Sequence, residues 1–255
     1  MPEPRFLEVR GVSRRFGGVL AVDGVDLDVA RGELVGIIGP NGAGKTTLFN
    51  LITGFARPTA GHLAFKGRRL DRVAPHRIAR LGIVRTFQNL RVSPDLTVFD
   101  NVSAGAIGAI GFPAWRALAP GAGQARAGRL AERIWGALAR VGLDSRADEP
   151  AGNLSYGRRK YLEIGRALAA APELLILDEP AAGLNETETA GLARFITQLN
   201  AEGMTVLLVE HDMGLVMGTC RRVVVLAAGR KIADATPAEV RADLAVQAAY
   251  LGVEE

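Results

Sequence analysis

The hydrophobic residues of this chain fall into short continuous runs, separated by segments whose apolar residues recur at helical spacing. Three of the runs are almost entirely apolar: residues 34–38, 174–177 and 205–209. A continuous apolar run of this length is typical of a parallel strand buried on both faces of a sheet. The runs therefore predict an α/β fold with a parallel central sheet.

Alternating patterns precede and follow these runs. Residues 6–33 alternate, or nearly alternate, between apolar and polar side chains up to an Arg31-Gly32 turn, which predicts antiparallel strands. Residues 61–67 predict a further short strand between glycines, and residues 223–233 predict a hairpin that turns at Gly229. An antiparallel β subdomain is therefore expected at the N-terminus.

The helical segments have recognisable ends. Residues 75–82 begin with proline and end with glycine, and a strand that ends at Gln88 is expected to follow. Leu130, Ile134, Leu138 and Val141 predict an amphipathic helix that Gly142 ends.

Two segments near these helices have less regular patterns. Residues 104–124 are rich in glycine, alanine and proline, and we interpret them as a long connection with a few apolar residues. Thr236-Pro237-Ala238-Glu239 is a capping box that predicts one terminal helix, ending at residues 250–252.

The stretch that follows the first apolar run carries the strongest chemical signal. It contains, in order, Gly39, Pro40, Asn41, Gly42, Ala43, Gly44, Lys45, Thr46 and Thr47. This is a G-x-x-x-x-G-K-[ST] motif between a predicted strand and a predicted helix, the context that a phosphate-binding loop (P-loop) requires. Backbone N–H groups and the helix N-terminus would bind phosphate there. We therefore expect the chain to bind a nucleoside triphosphate.

Individual residues of the motif have distinct expected roles. Gly39, Gly42 and Gly44 would let the backbone come close to phosphate oxygens. Lys45 would contact the β- and γ-phosphates, and the Thr46 hydroxyl would ligate Mg²⁺. The chain has only 4 lysines among its 31 basic residues. A compact ammonium fits inside a backbone cradle that a planar guanidinium would not enter.

Polar residues follow the other two buried runs. Asp178 and Glu179 come directly after residues 174–177, and two adjacent carboxylates there are unfavourable unless a cation or ligand uses them. We assign Asp178 to Mg²⁺ and Glu179 to the attacking water as general base. His211 follows residues 205–209 and could bind a γ-phosphate oxygen, although a lone histidine is often structural.

Four further residues each allow two interpretations when judged by themselves. Gln88 could bind Mg²⁺ or a water, or be an exposed loop residue. Phe16, beside a glycine pair, could stack on a purine or be a core residue. Ser155 and Gly157 open a helix with basic residues and could form a second anion site or a plain capped helix.

Composition narrows the class of protein. The chain has 255 residues, a net charge of +4, a pI near 9.6 and a single cysteine, Cys220. It has no apolar run of 18 residues and no apolar leader, so we expect a cytoplasmic protein without internal disulfides. Arginine is scattered along the chain, which argues against a nucleic-acid-binding arm.

Taken together and in this order, these motifs resemble the ATPase subunit of ATP-binding cassette (ABC) transporters over nearly the whole chain. Leu154-Ser155-Tyr156-Gly157, some twenty residues before Asp178-Glu179, is the most specific element. Within that family, residues 15–18, 84–88, 180–185, 210–213 and 250–252 look like the importers of branched-chain and hydrophobic amino acids.

The resemblance implies a fold and a division of the chain. It implies a P-loop NTPase core with a β subdomain over residues 1–88 and 166–235. It also implies a helical signature subdomain over residues 89–165 and a C-terminal helix over 236–255. The whole chain would be one ABC ATPase domain.

The resemblance also implies cofactors and partners. Two subunits would dimerise head to tail, identical or paralogous, and Ser155 and Gly157 would contact ATP in trans. Gln88 would be the coupling-loop residue at the metal, and Phe16 would stack on adenine. The subunit would lie on the cytoplasmic face of the membrane with two permease subunits, served indirectly by an extracytoplasmic solute-binding protein.

The sequence departs from the family pattern at three positions and leaves other functions open. Arg158 replaces the usual signature glutamine, Asn185 a frequent acid, and Phe16 the commoner tyrosine. Export of lipid or lipopolysaccharide is the alternative within the family, and a soluble ABC ATPase outside transport is the other.

Overall fold

The computed structural model describes residues 6–87, 90–110 and 122–251. The strands are β1 Leu7–Phe16, β2 Val19–Val29, β3 Leu34–Ile38, β4 Ala60–Phe65, β5 Arg68–Arg69, β6 Ile83–Arg85, β7 Leu174–Asp178, β8 Thr205–Val209, β9 Arg222–Ala227 and β10 Arg230–Ala235. The helices are α1 Lys45–Ile52, α2 Pro75–Arg80, α3 Val98–Ile110, α4 Ala122–Arg140, α5 Tyr156–Ala169, α6 Glu186–Ala201, α7 Met213–Thr219, α8 Pro237–Ala242 and α9 Leu244–Leu251.

The central sheet has six strands in the order β10-β9-β3-β8-β7-β6. All neighbours are parallel except β10, which pairs with β9 as an antiparallel hairpin. Every residue of β3, β7 and β8 is buried. The predicted parallel sheet, buried on both faces, is thus confirmed, and the carboxyl ends of β3, β7 and β8 meet at one edge.

The two faces of this sheet belong to different hydrophobic clusters. Alternate residues such as Ile37, Ile176 and Leu207 pack with α1 and a four-stranded antiparallel sheet, β2-β1-β4-β5. The intervening residues, such as Leu177 and Leu208, pack with the helices α3 to α7. The N-terminal antiparallel sheet that the alternating pattern predicted is therefore present and covers α1.

Residues 104–124 differ from the sequence prediction. The interpretation as a connection is wrong for residues 104–110, which continue α3, and for residues 122–124, which begin α4. Val102 and Ala106 of α3 are buried in the helical cluster, and this burial outweighs the low helix propensity of the glycines. The rest of the segment lies outside the described residues.

The C-terminus also differs from the prediction of one terminal helix. The capping box at Thr236 is present, but α8 ends at Ala242 and α9 starts at Leu244. Asp243 between them is extended, and its carboxylate accepts hydrogen bonds from the N–H groups of Ala245 and Val246. This side chain caps α9 and ends α8.

The division into subdomains remains a prediction. The expected boundary between residues 165 and 166 falls inside α5, so that a single helix runs through both parts. Within the ranges that the structure describes, no helix is long and apolar enough to cross a bilayer.

Close packing of α3 against α5 gives a test of the helical cluster. A Cβ at Gly105 would lie 2.0 Å from the carbonyl oxygen of Arg166, whereas one at Gly108 would meet open space. We expect Gly105→Ala to lower the free energy of unfolding by about 1–3 kcal/mol, because the helices must separate.

Gly108→Ala is the matched control in the same helix. It should leave stability unchanged or raise it by up to about 1 kcal/mol, because alanine favours helix. Urea unfolding followed by circular dichroism measures both variants, and equal stabilities would contradict the assigned packing.

Candidate functional site

The turns after β3, β7 and β8 enclose a cleft of about 300 Å³. It is lined by Ala21, Asn41, Gly42, Ala43, Gly44, Lys45, Thr46, Thr47, Glu179 and His211. Residues from four separate parts of the sequence thus meet in one concave site. Most of the lining is backbone and polar side chains, which suits a phosphate-bearing ligand.

Lys45 is the buried cation of this cleft. Its Nζ donates hydrogen bonds to the carbonyl oxygens of Gly39 at 2.5 Å and Pro40 at 3.0 Å. Burial lowers the pKa of the ammonium, while the nearby charges of Glu179 and Asp178 act in the opposite direction. The ammonium is therefore held in place at the base of the loop, with both carboxylates close by.

The three glycines of the loop serve two different purposes. A Cβ at Gly39 would lie 2.1 Å from the carbonyl oxygen of Leu226, and one at Gly44 would lie 2.4 Å from that of Ala21. Both glycines are therefore required by the protein's own packing. At Gly42 a Cβ would meet nothing, and this residue lines the cleft. The open space for a ligand is at Gly42.

Glu179 and His211 face each other across the cleft. His211 Nε2 lies 2.7 Å from Glu179 Oε1, and the glutamate side chain is much less exposed than the histidine, 14% against 44%. Glu179 has a positive φ of 48°, which is unfavourable for a residue with a side chain. Its N–H is held by the Val209 carbonyl at 2.9 Å. Strain of this kind is concentrated at functional sites.

Glu210 holds the two loops together, a role that the sequence interpretation missed. Its carboxylate accepts hydrogen bonds from the N–H of Ala181 at 2.6 Å and of His211 at 3.2 Å. Burial raises the pKa of this carboxyl group, against the effect of those hydrogen bonds. An acid directly after a buried strand was the available signal.

Asp178 lies buried below the cleft rather than on its surface. Its Oδ2 accepts a hydrogen bond from Nη2 of Arg85 at 2.6 Å, and Nη1 of that arginine donates to Asn50 Oδ1 at 2.7 Å. Arg85 is a second residue that sequence analysis did not single out. The signal was a charged residue at the end of a strand that reads Ile-Val-Arg.

Three of the other predicted residues, Phe16, Ser155 and Gly157, do not line the cleft. Phe16 is at the end of β1, 47% exposed, under the guanidinium of Arg14, and it does not line the cleft. Gln88 lies outside the described residues, and the strand expected to end there ends at Arg85. Ser155 and Gly157, at the start of α5, do not line the cleft either.

The start of α5 packs on the loop after β7. The Ser155 side chain caps the helix by accepting a hydrogen bond from the N–H of Arg158. Gly157 is buried, and a Cβ there would lie 2.5 Å from Glu188 Oε1. The Tyr156 hydroxyl donates to the Ala182 carbonyl at 3.1 Å. The first turn of α5 is therefore less open than the sequence suggested.

The C-terminal helix also reaches the P-loop. Burial raises the pKa of the Tyr250 phenol, and the backbone of Gly39 lies close enough to act in the opposite direction. Tyr250, in α9, thus lies near the first glycine of the phosphate-binding motif.

The residues present fit a nucleotide with a divalent cation. In the part of the chain that the structure describes, no cluster of three or more histidine, cysteine or acidic side chains could hold a metal ion by itself. Mg²⁺ typically binds through one or two protein oxygens together with substrate phosphates and water. The Thr46 hydroxyl and the Asp178 carboxylate supply such oxygens next to the cleft.

Comparison with known proteins gives two family matches. The model described as ABC transporter matches residues 22–182. A second model, described as branched-chain amino acid ATP-binding cassette transporter, matches residues 230–255.

Two individual proteins are similar to the chain over almost their whole length. The chain is 43% identical to the high-affinity branched-chain amino acid transport ATP-binding protein LivG of Salmonella typhimurium, covering 99% of both chains. It is also 43% identical to BraF, which has the same description, of Pseudomonas aeruginosa, covering 96% of this chain and 97% of that one.

A solved structure agrees with the fold. The crystal structure of a nucleotide-free ATP-binding cassette from an ABC transporter superposes with a TM-score of 0.85 at 30% identity, over 99% of this chain and all of that one.

The different purposes of the loop glycines can be separated by experiment. Gly42→Ala should lower the free energy of unfolding by only about 1–2 kcal/mol, because alanine is strained at a φ of +80° but meets no neighbour. It should weaken nucleotide binding at least about tenfold, because the methyl group enters the phosphate space.

Gly44→Ala is the comparison, since its methyl group would meet the Ala21 carbonyl. We expect a larger loss of stability without nucleotide than in Gly42→Ala. Urea unfolding and titration with a fluorescent ATP analogue measure the two effects. Normal nucleotide affinity in Gly42→Ala would contradict the placement of the phosphates.

Proposed function

The chain belongs to the ABC transporter family, and from this premise we propose that it is the ATP-hydrolysing subunit of an importer for branched-chain or other hydrophobic amino acids. The observation that carries the proposal is the single cleft in which the P-loop, Glu179 and His211 meet. The match of residues 230–255 to the branched-chain group supports the choice of solute.

The geometry supports a specific division of labour in hydrolysis. Glu179, 2.7 Å from His211 and beside the P-loop, is the general base that orients and deprotonates the attacking water. Lys45 and His211 stabilise the negative charge that develops on the γ-phosphate. The P-loop N–H groups of residues 41–47 hold the phosphates.

We further propose Mg²⁺ as the cofactor, with Thr46 and Asp178 as its protein ligands, directly or through water. When bound, it would neutralise charge on the β- and γ-phosphates. Gln88 remains the proposed third oxygen ligand from the sequence, and Phe16 remains the proposed adenine stacker. Phe16 is half-exposed at the tip of the β1–β2 hairpin, and the guanidinium of Arg14 lies over its ring.

A second ATPase subunit completes the proposal. Ser155 and Gly157 do not line the cleft of their own chain, which agrees with a role in the cleft of another. Two such subunits, head to tail, would place each α5 N-terminus against the partner's nucleotide. We propose permease subunits and a solute-binding protein as the remaining components, with the ATPase on the cytoplasmic face of the membrane.

Lipid export is the weaker alternative for the transported substance. LivG and BraF, which match almost end to end, are both named for branched-chain amino acid transport. Of the three departures from the family pattern, Asn185 has a clear structural use, because it forms a capping box with Glu188 at the start of α6. Arg158 has no such explanation in the structure.

The general base can be tested by Glu179→Gln. We expect the turnover of ATP to fall by about 10²–10⁴-fold, because the amide cannot accept a proton, while ATP binding persists. The ATP-bound variant should accumulate as a dimer on size-exclusion chromatography. Glu132→Gln, on the exposed face of α4, is the control and should hydrolyse ATP normally. Unchanged turnover in Glu179→Gln would remove Glu179 from this role.

The head-to-tail dimer can be tested by mixing two defective chains, both carrying Glu179→Gln to retain nucleotide. One chain also carries Lys45→Ala, which disables its P-loop. The other chain also carries Ser155→Arg, which blocks the N-terminus of its α5. Neither chain alone should form an ATP-retaining dimer.

Their mixture should form dimers with one occupied site, because the Ser155→Arg chain supplies the P-loop and its partner supplies the intact Ser155. Nucleotide content of the isolated dimer measures this. Absence of retained nucleotide in the mixture would argue against Ser155 acting in trans.

A further inference from the structure

Arg85 is a buried cation that the proposed mechanism does not use. Its side chain is 4% exposed and lies at the end of β6, next to β7. Nη2 is 2.6 Å from Oδ2 of Asp178, whose side chain is 7% exposed. The carboxylate proposed for the metal is therefore already paired with a positive charge from its own chain.

The second arm of the same guanidinium is also fixed. Nη1 donates to Asn50 Oδ1 at 2.7 Å, on the helix that begins with the P-loop lysine. The rings of Phe49 and Phe87 flank the guanidinium, with centroids 5.7 and 5.4 Å from its central carbon. The planar fork thus bridges α1 and β7, which a lysine could not do.

The pair has an electrostatic consequence for a metal at Asp178. In a site with little water, a neighbouring positive charge weakens the attraction between a carboxylate and a second cation. The hydrogen bond also holds Oδ2 against the guanidinium and fixes the orientation of the carboxylate. A cation that binds weakly to this carboxylate requires further ligands, such as the phosphate oxygens of a nucleotide.

We propose that Arg85 is a positioning residue that balances the charge of Asp178 and holds its orientation until nucleotide arrives. Without nucleotide it disfavours a divalent cation, so that the metal binds together with ATP rather than before it. This inference rests on the proposed assignment of Asp178 to the metal.

Binding of Mn²⁺ to the nucleotide-free protein, followed by electron paramagnetic resonance, tests the proposal without measuring activity. In Arg85→Gln the amide keeps a hydrogen-bond donor near Asp178 but removes the charge. We expect nucleotide-free Mn²⁺ affinity to rise about tenfold or more. The rise should vanish when Asp178→Asn is added.

Asn50→Asp is the second variant, in case Arg85→Gln does not fold. The new carboxylate competes for the guanidinium, and the affinity of the nucleotide-free protein for Mn²⁺ should rise here as well.

Arg222→Gln is the matched control, because Arg222 also pairs with two carboxylates, Glu33 and Asp234. It lies beside the start of β3, at the end of that strand away from the P-loop. This variant should leave Mn²⁺ binding unchanged.

Failure of the metal assignment and failure of the proposed role of Arg85 would give different results. If Asp178→Asn alone leaves the Mn²⁺ dependence of ATP binding unchanged, the metal assignment in the proposed function is wrong, and the inference falls with it. If Asp178→Asn abolishes that dependence but the folded Arg85→Gln and Asn50→Asp proteins bind Mn²⁺ as the wild type does, only the role of Arg85 is overturned.

Discussion

The parallel pairing of β3, β8 and β7, buried on both faces, is the constraint on which the site depends. The register pairs Ile37 with Val209 and Val209 with Asp178, so that the three strands end at the same level. The residues that follow must then turn at one edge of the sheet. The P-loop, Glu179 and His211 are brought together by this register, although more than 130 residues separate the first from the second.

Burial at this edge makes each polar group depend on a partner. Lys45 is held by two carbonyl oxygens of its own loop, and Glu210 accepts N–H groups from the loops after β7 and β8. Asp178 is paired with Arg85. A buried charge without such partners would be strongly unfavourable. These contacts therefore stabilise the charged groups and also fix the positions of the loops. A site of this kind is preorganised, which favours electrostatic stabilisation of a reacting phosphate.

The start of α5 is physically connected to the proposed base. Lys160, in the second turn of that helix, donates to the backbone carbonyl of Glu179 at 3.4 Å, and Tyr156 donates to the carbonyl of Ala182. A displacement of α5 would therefore be felt at the loop that carries Glu179. If a second subunit binds nucleotide at Ser155, these contacts give a direct structural route between the two sites of the dimer.

The sequence by itself determined the fold class, the polar residues that follow each buried strand, and the P-loop. It could do so because apolar periodicity and glycine spacing are local properties of the chain. It misjudged residues 104–110 and Asp243, where the outcome depends on packing against α5 and on a side-chain cap. The contacts of Arg85 and Gly44 could not be predicted from the sequence for a different reason. The pairing of Arg85 with Asp178 depends on a distance between segments far apart in sequence. The contact that a methyl group at Gly44 would make with the Ala21 carbonyl depends on another such distance. Only the tertiary structure sets those distances, since they follow from how the two sheets and α1 pack together.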